Sequence, residues 1–188
     1  MTFAFIRHGQ TDWNLHKQLQ GSTDIPLNAT GREQAHAAAA SLARSDWDAI
    51  VSSPLSRARE TAQIIADDLG IELGPAYDEL IERHYGEAEG VVEAEAELKW
   101  PGKTAPGIET LDSVVQRGRS ALSRIADDYG DDNVLIVCHG TIIRYTLAAL
   151  AGRPIDAIIN GSVATFHRVD GVWQVLSVND QTLEAARS

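Results

Sequence analysis

Short apolar runs alternate with longer segments of helical periodicity along most of the chain. This alternation predicts an α/β fold of three layers, in which helices cover both faces of a mostly parallel central sheet. One run, Val134–Cys138, is apolar throughout, which is typical of a strand buried on both faces. The predicted strands are Thr2–Arg7, Asp48–Ser52, Val134–Cys138 and, as a hairpin around Asp170 and Gly171, Ser162–Arg168 and Val172–Val178.

Four helices are predicted between these strands. Gly70 and Gly130 each follow a periodic segment, and glycine readily takes the left-handed conformation that ends a helix. Thr30 and Glu33 have the spacing of a capping box, which indicates the start of a helix. The predicted helices are Thr30–Ala43, Ser56–Leu69, Thr110–Tyr129 and Thr141–Leu150.

One segment, residues 86–107, does not follow this pattern. It is acidic, it contains Pro101 and Pro106, and its apolar residues have no clear period. We interpret it as a lid or excursion over the strand ends, and its glutamates as a solvated surface. Since no repeat and no linker rich in Pro, Ser and Gly divides the sequence, we expect a single domain over residues 1–188.

Composition narrows the range of partners. The chain has 16 Lys and Arg against 27 Asp and Glu, so its net charge is −11. Nucleic acids and anionic membranes both attract clustered cations, so we expect neither as a partner. No apolar run reaches the roughly 18 residues of a membrane span, and the N-terminus lacks the pattern of a signal peptide, so we expect a cytoplasmic protein. The sequence leaves the oligomeric state open.

Two predicted strands end in the same way. Thr2–Arg7 is followed by His8 and Gly9, and Val134–Cys138 is followed by His139 and Gly140. Ligands of parallel sheets bind beyond the carboxyl ends of the strands, where helix N-termini converge. If the two strands are neighbours, both imidazoles face one pocket, and the glycines let a ligand approach the backbone there.

The residues beside these histidines favour a phosphoryl group over a metal ion. Arg7 precedes His8, and Arg57 lies in the first helical turn after another strand. A guanidinium matches phosphate oxygens with two parallel hydrogen bonds. Two histidines can ligate zinc, but neither an HxH nor an HExxH pattern supplies further ligands, so we expect no metal.

A second phosphate-binding pattern competes with this interpretation. Cys138 and Arg144 have the C-x5-R spacing of cysteine-dependent phosphatases. That chemistry needs an exposed thiolate with a depressed pKa, whereas Cys138 completes an apolar strand. We therefore expect Cys138 to be a small buried residue.

Four short motifs resemble those of the histidine phosphatase superfamily, which includes the cofactor-dependent phosphoglycerate mutases. They occur in the order of that family and spread over most of the chain, and each is moderately specific by itself. The motifs are RHGQTDWN at residues 7–14, SSPLSRA at residues 52–58, ERHYG at residues 82–86 and CHG at residues 138–140.

The resemblance implies roles for five residues. His8 would be the nucleophile that forms a phosphohistidine, without a metal or cofactor. Arg7, Arg57 and His139 would bind the oxygens of the transferred phosphoryl group. Glu82 would protonate the leaving oxygen and then take a proton from water.

The resemblance also implies residues that line the substrate pocket. Asn14 would donate from its side-chain amide, and Tyr85 lies beside Glu82 in the third motif. The complete set of expected substrate-binding residues is Asn14, Gln20, Gly21, Ser22, Tyr85, Gly140 and Thr141.

The resemblance leaves two activities to choose between. The ERHYG motif is similar to the version found in mutases, but mutases carry a longer, arginine-rich insertion after it. Between Gly86 and Leu111 the only cations are Lys99 and Lys103, among many glutamates. We therefore expect a phosphomonoester phosphatase acting on a small phosphorylated metabolite with a neutral or weakly charged leaving group. A 2,3-bisphosphoglycerate-dependent phosphoglycerate mutase is the alternative, and a binding module without catalysis is disfavoured because all five catalytic residues are present.

Overall fold

A six-stranded sheet forms the centre of the computed structural model, which describes residues 1–183. Its strands are β1 (Thr2–Arg7), β2 (Ala49–Ser52), β3 (Leu73–Ala76), β4 (Val134–Cys138), β5 (Val163–Val169) and β6 (Val172–Val175). The order across the sheet is β3-β2-β4-β1-β5-β6. The first four of these strands run parallel, and β5 and β6 are antiparallel to their neighbours. The expected mostly parallel α/β sheet is confirmed.

Six helices connect or cover the strands. They are α1 (Asp12–Leu15), α2 (Ala29–Leu42), α3 (Ser56–Leu69), α4 (Glu93–Lys99), α5 (Leu111–Tyr129) and α6 (Gly140–Ala151). Short 3-10 turns occupy Asp78–Leu80 and Gly86–Ala88, and a two-stranded ribbon pairs β7 (Ser177–Val178) with β8 (Gln181–Thr182). No helix within residues 1–183 is long and apolar enough to cross a membrane.

The sheet separates two apolar cores. Successive side chains of a strand point to opposite faces, and accordingly Phe3 and Phe5 enter one core while Ala4 and Ile6 enter the other. Helices α5 and α6 pack on the first face, and α2 and α3 pack on the second. All four residues are fully buried, so β1 is fixed from both sides at the point where it delivers His8.

Two elements differ from the sequence prediction. Asn28, rather than Thr30, caps α2, because its side chain accepts a hydrogen bond from the amide of Gly31. The predicted capping box of Thr30 and Glu33 is therefore wrong. Strand β3 was not predicted, since its sequence of Leu, Gly, Pro and Ala has little strand propensity and its pairing with β2 is interrupted.

The 86–107 segment contains more regular structure than its sequence suggested. Helix α4 and a 3-10 turn occupy part of it, and the segment contributes to a small separate apolar cluster. A backbone bridge joins Gln18 to Val92 and ties the segment to the loop after α1, and a second bridge joins Tyr85 to Ile108, the residues that flank the segment. This position brings it to the carboxyl end of the sheet.

Candidate active site

His8 and His139 meet at the carboxyl end of the sheet. Strands β1 and β4 are parallel neighbours that pair Arg7 with Cys138, so the residues that follow stand side by side. The ring centroids are 5.1 Å apart, and both side chains are buried. The expected convergence of the two imidazoles is confirmed.

The surroundings of His8 fix its protonation state. Its Nδ1 lies 2.7 Å from the carbonyl oxygen of Gly9, an acceptor, so the proton is on Nδ1 and the lone pair is on Nε2. Burial, together with the positive charges of Arg57 and Arg7, holds the pKa of His8 well below its ordinary value. The imidazole is therefore neutral at pH 7 and carries a nucleophilic nitrogen.

Arg7 and Arg57 are held by backbone carbonyls. Arg7 Nη1 donates to Ile158 O at 2.5 Å, and Arg57 donates from Nη1 to Thr23 O and from Nη2 to Gly21 O, both at 2.8 Å. Burial lowers the pKa of both side chains, that of Arg57 to about 10, so both remain cationic at neutral pH. Neither Nε has a hydrogen-bond partner among residues 1–183, although both atoms are buried.

His139 lies against His8 and is fully buried. Its Nε2 is 2.7 Å from the hydroxyl of Ser53, and its buried Nδ1 has no partner in the described part of the chain. Burial, with the charge of Arg57, keeps the pKa of His139 well below its ordinary value. The Nε atoms of Arg7 and Arg57 and the Nδ1 atom of His139 are thus three buried nitrogens, each of which can donate a hydrogen bond to an anion.

Glu82 takes the position that the sequence analysis gave to a substrate anion. Its Oε2 accepts from the amide of Thr141 at 3.0 Å, and its Oε1 accepts from the amides of Arg83 at 2.7 Å and Ile142 at 3.3 Å. The first amides of α6 therefore bind a carboxylate of the protein itself. The start of this helix therefore positions the side chain of Glu82 in the site.

One cavity of about 350 Å³ brings the predicted residues together. Ser22 is the exception among the expected substrate-binding residues, since its amide and hydroxyl donate to Glu89 and it does not line the cavity. Its assignment is corrected accordingly. The predicted residues that do line the cavity are Arg7, His8, Asn14, Gln20, Gly21, Arg57, Glu82, Tyr85, Gly140 and Thr141.

Hydrogen bonds among these residues fix the shape of the cavity. Thr11 donates from its amide to Asn14 Oδ1 at 3.1 Å and from its hydroxyl to Gln20 Oε1 at 2.8 Å. The hydroxyl oxygens of Tyr85 and Thr141 are 2.8 Å apart. With its Oδ1 engaged, Asn14 has its NH₂ group as the donor for a ligand.

The two glycines after the histidines are both closely packed. A Cβ on Gly9 would lie 2.1 Å from the carbonyl oxygen of Gly31, so glycine is needed for β1 to end against the start of α2. A Cβ on Gly140 would lie 3.1 Å from Arg7 Nε. The expectation that these glycines admit a ligand to the backbone is therefore replaced by close packing at Gly9, whereas Gly140 lines the cavity.

Glu89 contradicts the expectation of a solvated glutamate surface. Its carboxylate accepts from the amides of Ser22, Thr23 and Tyr85, each at 3.0 Å, and from both hydroxyls of Ser22 and Thr23. Burial acts to raise the pKa of Glu89, but these hydrogen bonds outweigh it and the pKa is lowered. The carboxylate therefore joins the 86–107 segment to the loop whose carbonyls hold Arg57.

Sequence reasoning missed several residues of the cavity wall: Lys17, Arg83, Lys103, Arg144 and Asn160. Arg144 could have been identified from the sequence, because it follows Gly140 by four residues and residues at this spacing share a helix face. Lys17 and Lys103 had none: both adopt positive φ, 55° and 58°, in loops whose course is set by tertiary contacts. Asn160 reaches the site from the loop before β5 and donates to the carbonyl of His8 at 2.9 Å.

The competing thiolate pattern is not borne out. Cys138 is fully buried, and burial raises the pKa of its thiol, as expected for a residue that completes a core strand. Within residues 1–183, no group of three or more His, Cys, Asp or Glu side chains is placed to hold a metal ion.

Comparisons with known proteins agree with this site. The sequence model of the histidine phosphatase superfamily (branch 1) matches residues 3–181. The chain is 36% identical to an uncharacterised phosphatase, PhoE, of Bacillus subtilis over 180 residues, which cover 94% of this chain and 93% of that one. It is also 36% identical over 203 residues to phosphoglycerate mutase-like protein 4 of Arabidopsis thaliana, with coverage of 94% and 86%.

A solved structure shares the fold. The mycobacterial glucosyl-3-phosphoglycerate phosphatase in complex with VO3 superposes with a TM-score of 0.87 at 28% identity, covering 95% of this chain and 98% of that one. The family match spans nearly the whole described chain and includes every motif that meets at the cavity. The chain therefore belongs to the histidine phosphatase superfamily, in its branch 1.

Proposed function

We propose that this phosphoric monoester hydrolase cleaves a small phosphorylated metabolite without a metal ion, through a phosphohistidine at His8. The observation that carries the proposal is the neutral imidazole of His8, with a free Nε2, beside three buried nitrogens that lack partners within residues 1–183. These nitrogens belong to Arg7, Arg57 and His139. A cavity of about 350 Å³ suits a small ester.

In the first step, the lone pair of His8 Nε2 attacks phosphorus. The bond from phosphorus to the ester oxygen breaks, and that oxygen takes a proton from the carboxyl group of Glu82 as it leaves. Arg7, Arg57 and His139 donate to the non-bridging oxygens, where negative charge is spread during transfer. The product is a phosphohistidine with Glu82 ionised.

In the second step, the ionised Glu82 takes a proton from a water molecule, and the water oxygen attacks phosphorus. The bond between phosphorus and Nε2 breaks, which returns the lone pair to His8 and releases inorganic phosphate. The amides of Thr141, Ile142 and Arg83 donate to the side-chain oxygens of Glu82 and position this group for both steps.

Relatives support the phosphatase activity. PhoE of Bacillus subtilis is described as a phosphatase, and the mycobacterial structure is a phosphatase that binds VO3. The substrate of the present chain does not follow from these names.

The experiment is hydrolysis of para-nitrophenyl phosphate in the presence of EDTA, together with trapping of the phosphoenzyme. We expect activity with the chelator, a ³²P label that is acid-labile and alkali-stable, and loss of both in His8→Asn. His16→Asn, which changes an exposed residue, should behave as the wild type. Labelling that persists in His8→Asn would refute the assignment of the nucleophile.

A mutase is the second candidate, and the charge of the cavity favours it more than the sequence did. The acidic 86–107 segment was the argument against retention of a bisphosphate. The cavity wall, however, carries six cations and only two carboxylates, Glu82 and Glu93, so that argument is wrong for the wall itself. Bisphosphate-dependent conversion of 3- to 2-phosphoglycerate that is faster than release of phosphate would establish the mutase instead.

A further inference from the structure

The cavity wall has a charge opposite to that of the chain. Acidic residues outnumber basic ones in the sequence, 27 to 16, yet the wall has three times as many cations as carboxylates. Two of the three lysines of the chain lie there. The six cations are Arg7, Lys17, Arg57, Arg83, Lys103 and Arg144.

These cations divide into an inner pair and an outer set. Arg7 and Arg57 flank His8, with Arg57 buried and Arg7 half-buried, in the position to bind the transferred phosphoryl group. The remaining four come from four separate parts of the chain, and we name them the outer basic wall: Lys17, Arg83, Lys103 and Arg144. Nothing in the two-step reaction proposed above uses them.

The arginines of the outer basic wall are anchored. Arg83 donates from Nε to the carbonyl of Glu109 at 2.8 Å, and Arg144 donates from Nε to the carbonyl of Ile155 at 2.6 Å. Each guanidinium is thus held at the wall by a neutral carbonyl acceptor. Lys103 Nζ is 3.6 Å from a carboxylate oxygen of Glu93, so only one of the four cations has an acidic partner on the wall.

We infer that the leaving group of the substrate carries a second anionic group, a carboxylate or a second phosphate, which binds to the outer basic wall. This inference rests on the proposed function, because it assigns the part of the ester that His8 does not attack. A phosphoryl dianion balances Arg7 and Arg57. Glu82 is protonated when the ester binds in the proposed reaction, so Glu93 alone balances one of the outer four, which leaves three positive charges for the rest of the substrate. This inference replaces the expectation, made from the sequence, of a neutral or weakly charged leaving group.

The test compares esters that differ only in that charge. Phenyl phosphate bearing a 3-carboxylate, a 3-carboxamide or a second phosphate at the same ring position keeps the reacting bond and the shape similar. We expect kcat/KM for the anionic esters to exceed that of the amide by about tenfold to a hundredfold, the range of charge-assisted hydrogen bonds. The ratio between carboxylate and bisphosphate esters then distinguishes the two anions.

Variants locate the effect on the wall. Arg144→Gln and Lys17→Gln should each reduce the preference for the anionic esters at least severalfold, through KM. Arg119→Gln removes an exposed arginine of α5 outside the cavity and should keep the full preference. If Arg119→Gln reduces the preference as much as the wall variants do, the preference arises from the electrostatic field of the whole molecule, and the inference is overturned.

Failure of the inference and failure of the proposed function give different results. Hydrolysis of the carboxylate and amide esters at equal rates would overturn the inference and leave the phosphatase intact. If the wild type hydrolyses none of the esters, the proposed function fails, and equilibrium binding of the same esters to the wild type decides the inference. Tighter binding of the anionic esters by the same factor would uphold it, and equal binding would overturn it.

Discussion

At the scale of single residues, the two imidazoles of the cavity illustrate how burial sets chemistry. Burial away from water and the nearby guanidinium groups both disfavour a positively charged imidazole. They therefore lower the pKa of His8 and that of His139. A neutral ring is required of a nucleophile. The same environment makes the folded state sensitive to acid.

We expect the free energy of unfolding to fall as the pH drops below about 6.5, the ordinary pKa of histidine. In the unfolded chain each imidazole takes up a proton there, whereas folded His8 and His139 remain neutral, so the unfolded state binds more protons. The fall is up to about 1.4 kcal/mol per pH unit for each group. Urea unfolding between pH 7.5 and 5.5 measures it. His139→Asn should flatten the slope relative to the wild type; equal slopes in the two proteins would contradict the lowered pKa.

We expect Glu82→Gln to discriminate between substrates by their leaving groups. An alkyl phosphate needs protonation of the departing oxygen, and its kcat should fall by roughly 10²–10⁴. Para-nitrophenolate departs without a proton, so its ester should lose much less in the first step. Rates of burst and steady-state phases separate the two steps. Glu87→Gln changes an exposed glutamate and serves as the control; an equal loss on both esters would remove Glu82 from the role of acid.

The central residues could be predicted because each follows or begins an element with a clear pattern. His8 and His139 follow apolar strands, and Arg57 begins a periodic helix. The outer basic wall could not be predicted as a group, since Lys17 and Lys103 lie 86 positions apart in loops without period. Ser22 was misassigned because adjacency to Gly21 in sequence does not reveal which of the two faces the cavity.

At the scale of elements, the hydrogen bonds of Glu89 help to position Arg57, a residue of the candidate site. The carboxylate fixes Ser22 and Thr23, and the carbonyls of Gly21 and Thr23 in that same loop accept from Arg57. The 86–107 segment therefore contributes to the position of a guanidinium that it does not touch directly. The sequence pattern, which indicated only solvated glutamates, gave no sign of this.

We expect Glu89→Gln to weaken both the fold and the binding of phosphate. A glutamine NH₂ would face N–H donors where a carboxylate oxygen now accepts, and an unsatisfied buried donor costs about 1–3 kcal/mol. Arg57 would then be less firmly placed, and the inhibition constant of inorganic phosphate should rise severalfold. Unfolding in urea and phosphate inhibition measure the two effects, with Glu97→Gln on the exposed side of α4 as control. Lost stability with unchanged phosphate inhibition would restrict Glu89 to a structural role.

Most helices and strands could be predicted to within one or two residues because their hydrophobic patterns are strong. Strand β4 and helix α3 have the predicted bounds, and β1 does as well. The order of strands across the sheet could not be derived, because it depends on which helices cross which face. Strand β3 and helix α4 are short and lie in segments of weak pattern, so only tertiary contacts define them.

At the scale of the whole molecule, charge is divided between one cavity and the remaining surface. The wall carries a net charge of about four positive units, counted as six cations less two carboxylates. The net charge of −11 therefore means that the rest of the molecule carries about fifteen negative units. Such a surface repels polyanions, while the cavity concentrates positive potential where a small anion can enter.

The burial of Cys138 has a consequence for the response of the enzyme to oxidants. The chain has one thiol, which lies in the middle of the sheet with a raised pKa, and the proposed nucleophile is a nitrogen. Thiolate phosphatases lose activity when peroxide converts their nucleophile to a sulfenic acid. This enzyme presents no such target, and phosphate release should continue in peroxide or iodoacetamide at concentrations that silence those enzymes. We therefore expect its phosphatase activity to be independent of the redox state of its surroundings.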